Sequence, residues 1–316
     1  MAEQSKRSLI NREVFGPLMV ELGHKYPNIM VCDTDLMHCF GTKAFMKEFP
    51  KRHINFAIAE QNCMAASAGM ALCGKNVFSS SFANFATKRA CDQVSISVCY
   101  NHANVKVCGL YAGLTAEKNG GTHIGVEDVA IMRSFPGMVV VEPGDTYELE
   151  AITRFMAEYE GPVYFRQPKM YLRHVYNDVP AFELGKARQL REGKDVTLIA
   201  AGIMVGIAMD AAGLLEEKGI QARVLDMASI KPIDEESILK AAKETGLIVT
   251  CENHSTIGGL GSAVAEVLMD NKCNVALSRL GMQDCFGMTA TLGYQLEANG
   301  LTKEAIVENV MAAYKW

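Results

Sequence analysis

HINFAIAEQNCMAASAGMALCGKNVFSSSFANFATKRA, residues 53–90, is the stretch on which the reading of the fold turns. It opens with an apolar run, Ile54 to Ala59, of the length and composition of a buried strand. The run stops on a carboxylate, Glu60. A segment of small residues follows (Ala65, Ala66, Ser67, Ala68, Gly69, Ala71), with Met64 and Leu72 at helical spacings. Small side chains on a helix let another backbone or a flat ligand come close. A second strand, Val77 to Ser81, delivers Phe82 and Phe85 at its carboxyl end. In open α/β sheets ligands bind outside the carboxyl ends of the strands. One strand end thus offers an acid and a nearby one an aromatic platform. Taken alone, Glu60 also reads as a helix N-terminal carboxylate favoured by the dipole, and the two phenylalanines as core.

The same alternation continues on both sides. Ser8 to Tyr26 reads as a helix, with Leu9, Val14, Phe15, Leu18 and Leu22 near one face. NIMVCDTDL is a strand running into Asp33 and Asp35. Downstream, Thr87 to Tyr100 reads as helix, Val105 to Tyr111 as strand and Gly113 to Gly125 as a glycine-containing loop. Glu127 to Phe135 returns to helix, MVVVEP is a strand, and Asp145 is placed to cap the helix that follows. PVYFRQ closes a first sheet. Residues 173–193 are polar, carry Pro180 and Gly193 and show no sustained periodicity, so they are expected to link two units, 1–172 and 194–316. The second unit has strands at DVTLIAAG, ARVLDMAS, LIVTCEN and NVALSRLG, and a terminal amphipathic helix, TKEAIVENVMAAY. Strands alternating with helices predict two doubly wound, mostly parallel α/β sheets covered on both faces. GGLGSA near residue 260 falls short of a dinucleotide fingerprint and reads as a tight turn at a helix start.

Composition narrows the function classes. The chain has 316 residues, room for two ordinary domains, with 49% hydrophobic and 21% charged residues. A net charge of −5 and no Lys/Arg cluster argue against nucleic acid. No apolar run approaches the roughly 18 residues of a membrane span. The start, MAEQSKRSLINREVF, lacks the apolar core of a signal peptide. Ten scattered cysteines with no CxxC pair are better read as free thiols of a cytoplasmic enzyme than as disulfides or zinc ligands.

Four blocks, FAIAEQN, SSFANFATKRACDQV, GLTAEKNGGTHIGVEDVAIMR and VVVEPGDTYELEA, come in an order and spacing that resemble the pyrimidine-binding domain of the transketolase family. The likeness covers roughly the first 170 residues; the remainder resembles the family's carboxyl-terminal domain more weakly. It implies thiamine diphosphate and a divalent cation such as Mg2+, the cofactor serving as an electron sink for carbanion chemistry. It places Glu60 at the pyrimidine nitrogen N1′, with Phe82 and Phe85 stacked on the ring, and Asp35 and Leu114 near the cofactor. His123 falls where a histidine contacts the substrate oxygen and moves a proton. Arg12 and Arg166 fall on two arginines that grip a phosphate, a task suited to guanidinium geometry.

The family's diphosphate- and metal-binding half, with a GDG and a later asparagine, is not found here, and the pyrimidine-type blocks begin almost at residue 1. The resemblance therefore implies the carboxyl-terminal subunit of a split transketolase. It would be completed by an amino-terminal partner subunit in an α2β2 heterotetramer, with no metal ligands of its own. Three departures from the family pattern bear on substrate. Asn119 replaces an aspartate in the donor loop, Tyr111 stands for a histidine, and Cys39 aligns near a phosphate-binding serine. Asparagine donates as well as accepts and carries no charge. These positions leave open a sugar phosphate or a close analogue with another anionic end. A 2-oxo acid dehydrogenase β subunit, a deoxyxylulose phosphate synthase and a non-catalytic subunit of the same fold are the alternative readings, against which the THxGxEDxAxMR block and the retained Glu60 and His123 argue.

Overall fold

The computed structural model describes residues 7–313. Within them twelve strands run β1 Ile29–Asp33, β2 His53–Asn55, β3 Asn76–Phe82, β4 Val105–Leu110, β5 Val139–Val141, β6 Val163–Gln167, β7 Arg188–Arg191, β8 Val196–Ala200, β9 Ala222–Asp226, β10 Ser229–Lys231, β11 Leu247–Ser255 and β12 Ala276–Met282. The first sheet has the order β10-β5-β6-β4-β3-β1-β2, the second β12-β11-β8-β9-β7. Pairing is parallel except where β10 meets β5 and β7 meets β9. The interior strands β1, β4, β6, β8 and β9 are buried along their whole length, as parallel strands covered on both faces must be.

Helices Asn11–Lys25 and Thr146–Glu158 pack together on one face of the first sheet, and Glu60–Leu72 covers the other with the wider-wound segment Gln93–Cys99. Asp145 caps its helix, accepting from the backbone N–H groups of Tyr147 and Glu148 at 2.8 and 3.0 Å. The helix expected over 302–314 runs Lys303–Ala313. Its last expected residue, and residues 1–6 of the start read for a leader, lie outside the described residues. No helix among the described residues is long and apolar enough to cross a membrane.

Three local expectations are corrected. The apolar run after His53 leaves the sheet at Asn55, because Asn55 Oδ1 accepts from Ala57 N at 2.7 Å and turns the chain. Ala57 takes a positive φ of 54° and Ile58 is 74% exposed, so the run is half strand and half turn. The helix expected over 87–100 is broken into two π-helical segments, Phe85–Arg89 and Gln93–Cys99. Arg188–Arg191, inside the expected linker, forms the edge strand of the second sheet, while β10 crosses from the second half of the chain to the edge of the first.

The two halves are clamped by ions. Arg166, at the end of β6, is 0% exposed; its Nε donates to Asp128 Oδ2 at 2.7 Å and its Nη1 to Glu142 Oε1 at 2.6 Å. Nη2 reaches across to the Asn253 carbonyl of β11 at 2.9 Å. Asn253 Oδ1 accepts in return from Leu114 N at 2.9 Å. Burial opposes the charge on Arg166, yet Asp128 and Glu142 hold it charged. Burial also pushes the Asp128 carboxyl up, but Arg166 and His254 pull it below its ordinary value.

Candidate active site

β1 connects outward to β2 while its other neighbour β3 connects the opposite way to β4, so the connections diverge between β1 and β3 and open a crevice at their carboxyl ends. The site residues collect there. Glu60 begins the helix after β2 and is 2% exposed. Ser81 of β3 donates to Glu60 Oε1 at 3.4 Å and accepts from Thr34 Oγ1 at 2.9 Å, so a chain of hydroxyls runs from the end of β1 to the acid. Beneath it, burial pushes the thiols of Cys32 and Cys63 up to about 12 and about 11, keeping them protonated.

The aromatic platform is a cluster of four rings. Phe82 lies 6.0 Å from Phe85 edge to face, 5.3 Å from Tyr111 and 5.7 Å from His123; Phe85 and His123 are 5.0 Å apart. All four rings are partly open to solvent. His123 rides on the loop after the 3-10 segment Gly113–Asn119, and Asn84 Nδ2 holds that loop by the Thr122 carbonyl at 2.6 Å. Thr122 Oγ1 lies 2.8 Å from His123 Nδ1. Gly125 is needed at this contact, since a Cβ there would sit 2.9 Å from Asn84 N.

On the far side of Phe82, Tyr111 takes a positive φ of 54°, with Cys39 and Arg12 beside its hydroxyl. Burial, then Cys39, raise its hydroxyl pKa, while Arg12 works the other way. Arg12 itself is exposed. Lys169 Nζ stands 5.9 Å from the Tyr111 ring and 2.6 Å from Glu117 Oε2. Asn119 is exposed at the end of the same 3-10 segment, and Asp35 is exposed beside Asn55, with a positive φ of 64°.

Thus Glu60, Phe82, Phe85, Tyr111 and His123 are brought into one cluster, with Arg12 and Cys39 at its Tyr111 end. Four expected residues are not part of it: the exposed Asp35 and Asn119, and the buried Arg166 and Leu114. Arg166 is sealed between Asp128 and Glu142 and has no guanidinium face left to grip a substrate phosphate. Leu114 is 0% exposed, its backbone tied to Asn253, so it offers no surface to a cofactor.

Two residues were not anticipated. Arg89 Nη1 bridges both oxygens of Glu60 at 3.0 and 2.9 Å, with its guanidinium carbon 4.2 Å from the Phe85 centroid. The signal was the KR pair placing a cation four residues after Phe85. Lys169, three residues after Arg166, supplies a second cation near Tyr111, half-buried and paired with Glu117, and its signal was the KM following FRQP.

GGLGSA proves to be a helix start closed by protein. Glu252 accepts from Leu260 N at 2.7 Å and Gly261 N at 2.9 Å, so its carboxylate fills the place an anion would take. Gly259 is required, because a Cβ there would lie 2.0 Å from Glu252 Oε2. His254 next to it is buried, its Nδ1 2.7 Å from the Ser255 carbonyl.

A buried carboxylate beside a ring platform at a parallel-sheet switch point suits a flat, nitrogen-bearing ligand. Comparison with known proteins agrees. Residues 7–175 match the transketolase pyrimidine-binding domain family and residues 185–306 the transketolase carboxyl-terminal domain family. The chain is 46% identical over 296 residues, 94% of its length and 92% of the relative's, to the 6-deoxy-6-sulfo-D-fructose transketolase subunit SqwH of a Clostridium species. It is 44% identical over 306 residues, 96% of both chains, to a putative transketolase C-terminal section of Methanocaldococcus jannaschii. A split-gene transketolase solved as an inactive beta4 tetramer superposes with a TM-score of 0.89 at 44% identity, over 97% of this chain and 98% of that one. The chain belongs to the transketolase family, and along its length it corresponds to the carboxyl-terminal subunits of split transketolases.

Proposed function

We propose that this chain, with an amino-terminal partner subunit, forms a thiamine-diphosphate-dependent transketolase. It moves a two-carbon ketol unit between sugar phosphates or close analogues, and the observation that carries the reading is Glu60. Its carboxylate is nearly inaccessible to water, follows β2, bonds to Ser81 of β3, and is joined to the ring cluster through Arg89, which stacks on Phe85. When bound, the cofactor supplies a carbanion sink. Glu60 would hold the ring nitrogen N1′, and Phe82 and Phe85 would stack on the ring and exclude water from it. His123, fixed at Nδ1 by Thr122, keeps Nε2 to pass a proton to or from the substrate oxygen.

The diphosphate and Mg2+ fall to the partner subunit in this reading, in an α2β2 heterotetramer. The ten cysteines are all unpaired, which supports a reducing cytoplasm. Arg12 and Lys169, both near Tyr111, form the cationic end toward which an anionic sugar terminus would lie. The 46% relative is named for a sulfonated fructose, which supports an anion other than phosphate as a candidate there. Glu60→Gln tests the core of the proposal. In the reconstituted pair it should leave the fold intact and slow exchange of the thiazolium proton by about 10²–10⁴. Near-normal exchange in the variant overturns the assignment.

A further inference from the structure

The Glu60 carboxylate carries more than its burial. Both of its oxygens are engaged by a single nitrogen, Arg89 Nη1, and Oε1 also accepts from Ser81. The same guanidinium lies 4.2 Å from the Phe85 ring centroid. A guanidinium is flat, weakly hydrated and rich in N–H donors, and it stacks on aromatic faces. Hydrogen bonding to the acid and stacking on the ring are the two contacts that a planar nitrogen heterocycle would need here. Arg89 makes both.

We propose that Arg89 is a placeholder for the cofactor's pyrimidine ring: it occupies Glu60 and the Phe85 face in the cofactor-free subunit and leaves both when the ring enters. This rests on the reading of Glu60 given above. A buried carboxylate left alone is costly, and a hydrogen-bonded cation offsets the cost. Before the ring arrives, Arg89 therefore offsets that cost and holds the acid in position. Arg89 takes an acceptor site on each oxygen of the acid and covers the neighbouring ring face, so the cofactor ring cannot take the same bond and the same face while the guanidinium is there. The two occupants exclude each other.

The geometry allows the exchange. The Arg89 side chain is 45% exposed, so release returns it to water with little rearrangement, whereas Glu60 cannot move out. The π-helical turn Phe85–Arg89 lays Arg89 back over the ring four residues earlier. Such turns are rare and concentrate at functional sites. Its neighbour Lys88 is held elsewhere, 2.8 Å from Glu127, and does not compete for Glu60. Arg89 therefore sets cofactor affinity by standing in the cofactor's place.

The test is calorimetric titration of thiamine diphosphate and Mg2+ into the reconstituted two-subunit protein, comparing wild type, Arg89→Met, Arg89→Lys and Glu60→Gln. Arg89→Met should tighten the cofactor Kd by about tenfold or more, the scale of losing one charged hydrogen-bonded competitor. It should also lower the melting temperature of the cofactor-free protein more than that of the loaded protein, a difference that a merely structural arginine would not produce. Arg89→Lys, a point charge without the plate, should fall between. Unchanged or weaker binding by Arg89→Met overturns the placeholder; if that variant does not fold, unchanged or weaker binding by Arg89→Lys does so. Normal thiazolium exchange in Glu60→Gln would instead overturn the cofactor assignment itself, so the two failures are distinguishable.

Discussion

Two arginines of this chain each face carboxylates that are almost fully buried, and they do opposite things. Arg166 meets Asp128 and Glu142 through three nitrogens, is closed off from water and spans the two halves of the molecule. Arg89 meets Glu60 through one nitrogen and keeps 45% of its side chain in solvent. A buried charge pair is held by what it would cost to separate, and that cost scales with how completely both partners are desolvated. Burial of the cation, rather than of the anion, therefore divides a structural clamp from an exchangeable contact.

The sharpest way to break that comparison is to remove each cation. Arg166→Met should strand Asp128 and Glu142, costing about 3–5 kcal/mol of stability or abolishing soluble protein. Arg89→Met leaves one carboxylate that can still be reached by Ser81, and its cost should stay near about 1 kcal/mol. Denaturant melts of the two variants measure the difference directly. Equal losses would mean that exposure of the cation does not distinguish the two sites.

Protons give a second, smaller probe, because the clamp lies among groups with displaced pKa values. Burial pushes Glu252 up to about 7, against the helix N–H groups that it accepts from. Burial pushes His254 down to about 4. Glu148 and Asp226 meet under the Tyr176 hydroxyl, which donates to Asp226 Oδ2 at 2.7 Å; burial raises both carboxyls and they cannot both ionise freely. A raised carboxyl keeps its proton in the folded chain after the unfolded chain has lost it. Its contribution is thus complete below about pH 4 and is lost as pH rises through the folded value. His254 has the opposite sign: between about pH 4 and 6.5 only the unfolded chain binds its proton, so stability rises with pH there. Glu252 and His254 roughly cancel up to pH 6.5, and the Glu148–Asp226 pair tips the balance downward. Stability, and the thermal midpoint with it, should therefore fall from about pH 5 to pH 7, by up to about 1.4 kcal/mol per pH unit for each uncompensated proton, while above that Lys106, whose ammonium burial pushes down to about 7, acts the other way. Glu148→Gln should flatten that fall. A midpoint that rises over this range in both proteins would reverse the assignment.

What the sequence made legible follows the same division between local and non-local causes. The order of strands and helices, the Asp145 cap and the acid at the end of the 53–60 run were readable because each depends on neighbours along the chain. The clamp was not. Arg166 in VYFRQ looked like a substrate arginine, and only its non-local partners Asp128, Glu142 and Asn253 make it structural. A charged residue inside an otherwise apolar strand was the available hint. Arg89 escaped for another reason: the helix was read as starting at Thr87, so Phe85 stood outside it, whereas the turn begins at Phe85 and makes residues 85 and 89 same-face neighbours. β10 was invisible because three residues pair with a strand nearly ninety positions earlier.

The smallest expected effect is at the rim, where neither arginine acts. Asn119 ends the 3-10 segment exposed to solvent, while Tyr111 lies beside Arg12 and Cys39 deeper in the cluster. Where the family pattern leads one to expect an aspartate, this chain offers a neutral amide that both donates and accepts. Asn119→Asp adds one negative charge next to the exposed Lys118, on a rim that also carries Arg12, while Lys169 is paired with Glu117. A charge at contact distance in a solvated setting is worth about 1 kcal/mol, so the ratio of kcat/KM between competing anionic donors should shift by about fivefold. A survey on the reconstituted pair, with phosphorylated and sulfonated sugars against wild type and Asn119→Asp, reads this ratio. If wild type prefers xylulose 5-phosphate and ribose 5-phosphate and the substitution leaves every ratio unchanged, then Asn119 has drifted without consequence. The altered anionic end would then have to be sought at Arg12 and Lys169. A shift confined to donors, with acceptors untouched, would instead fix the rim as the donor side and leave the Tyr111 end to the acceptor.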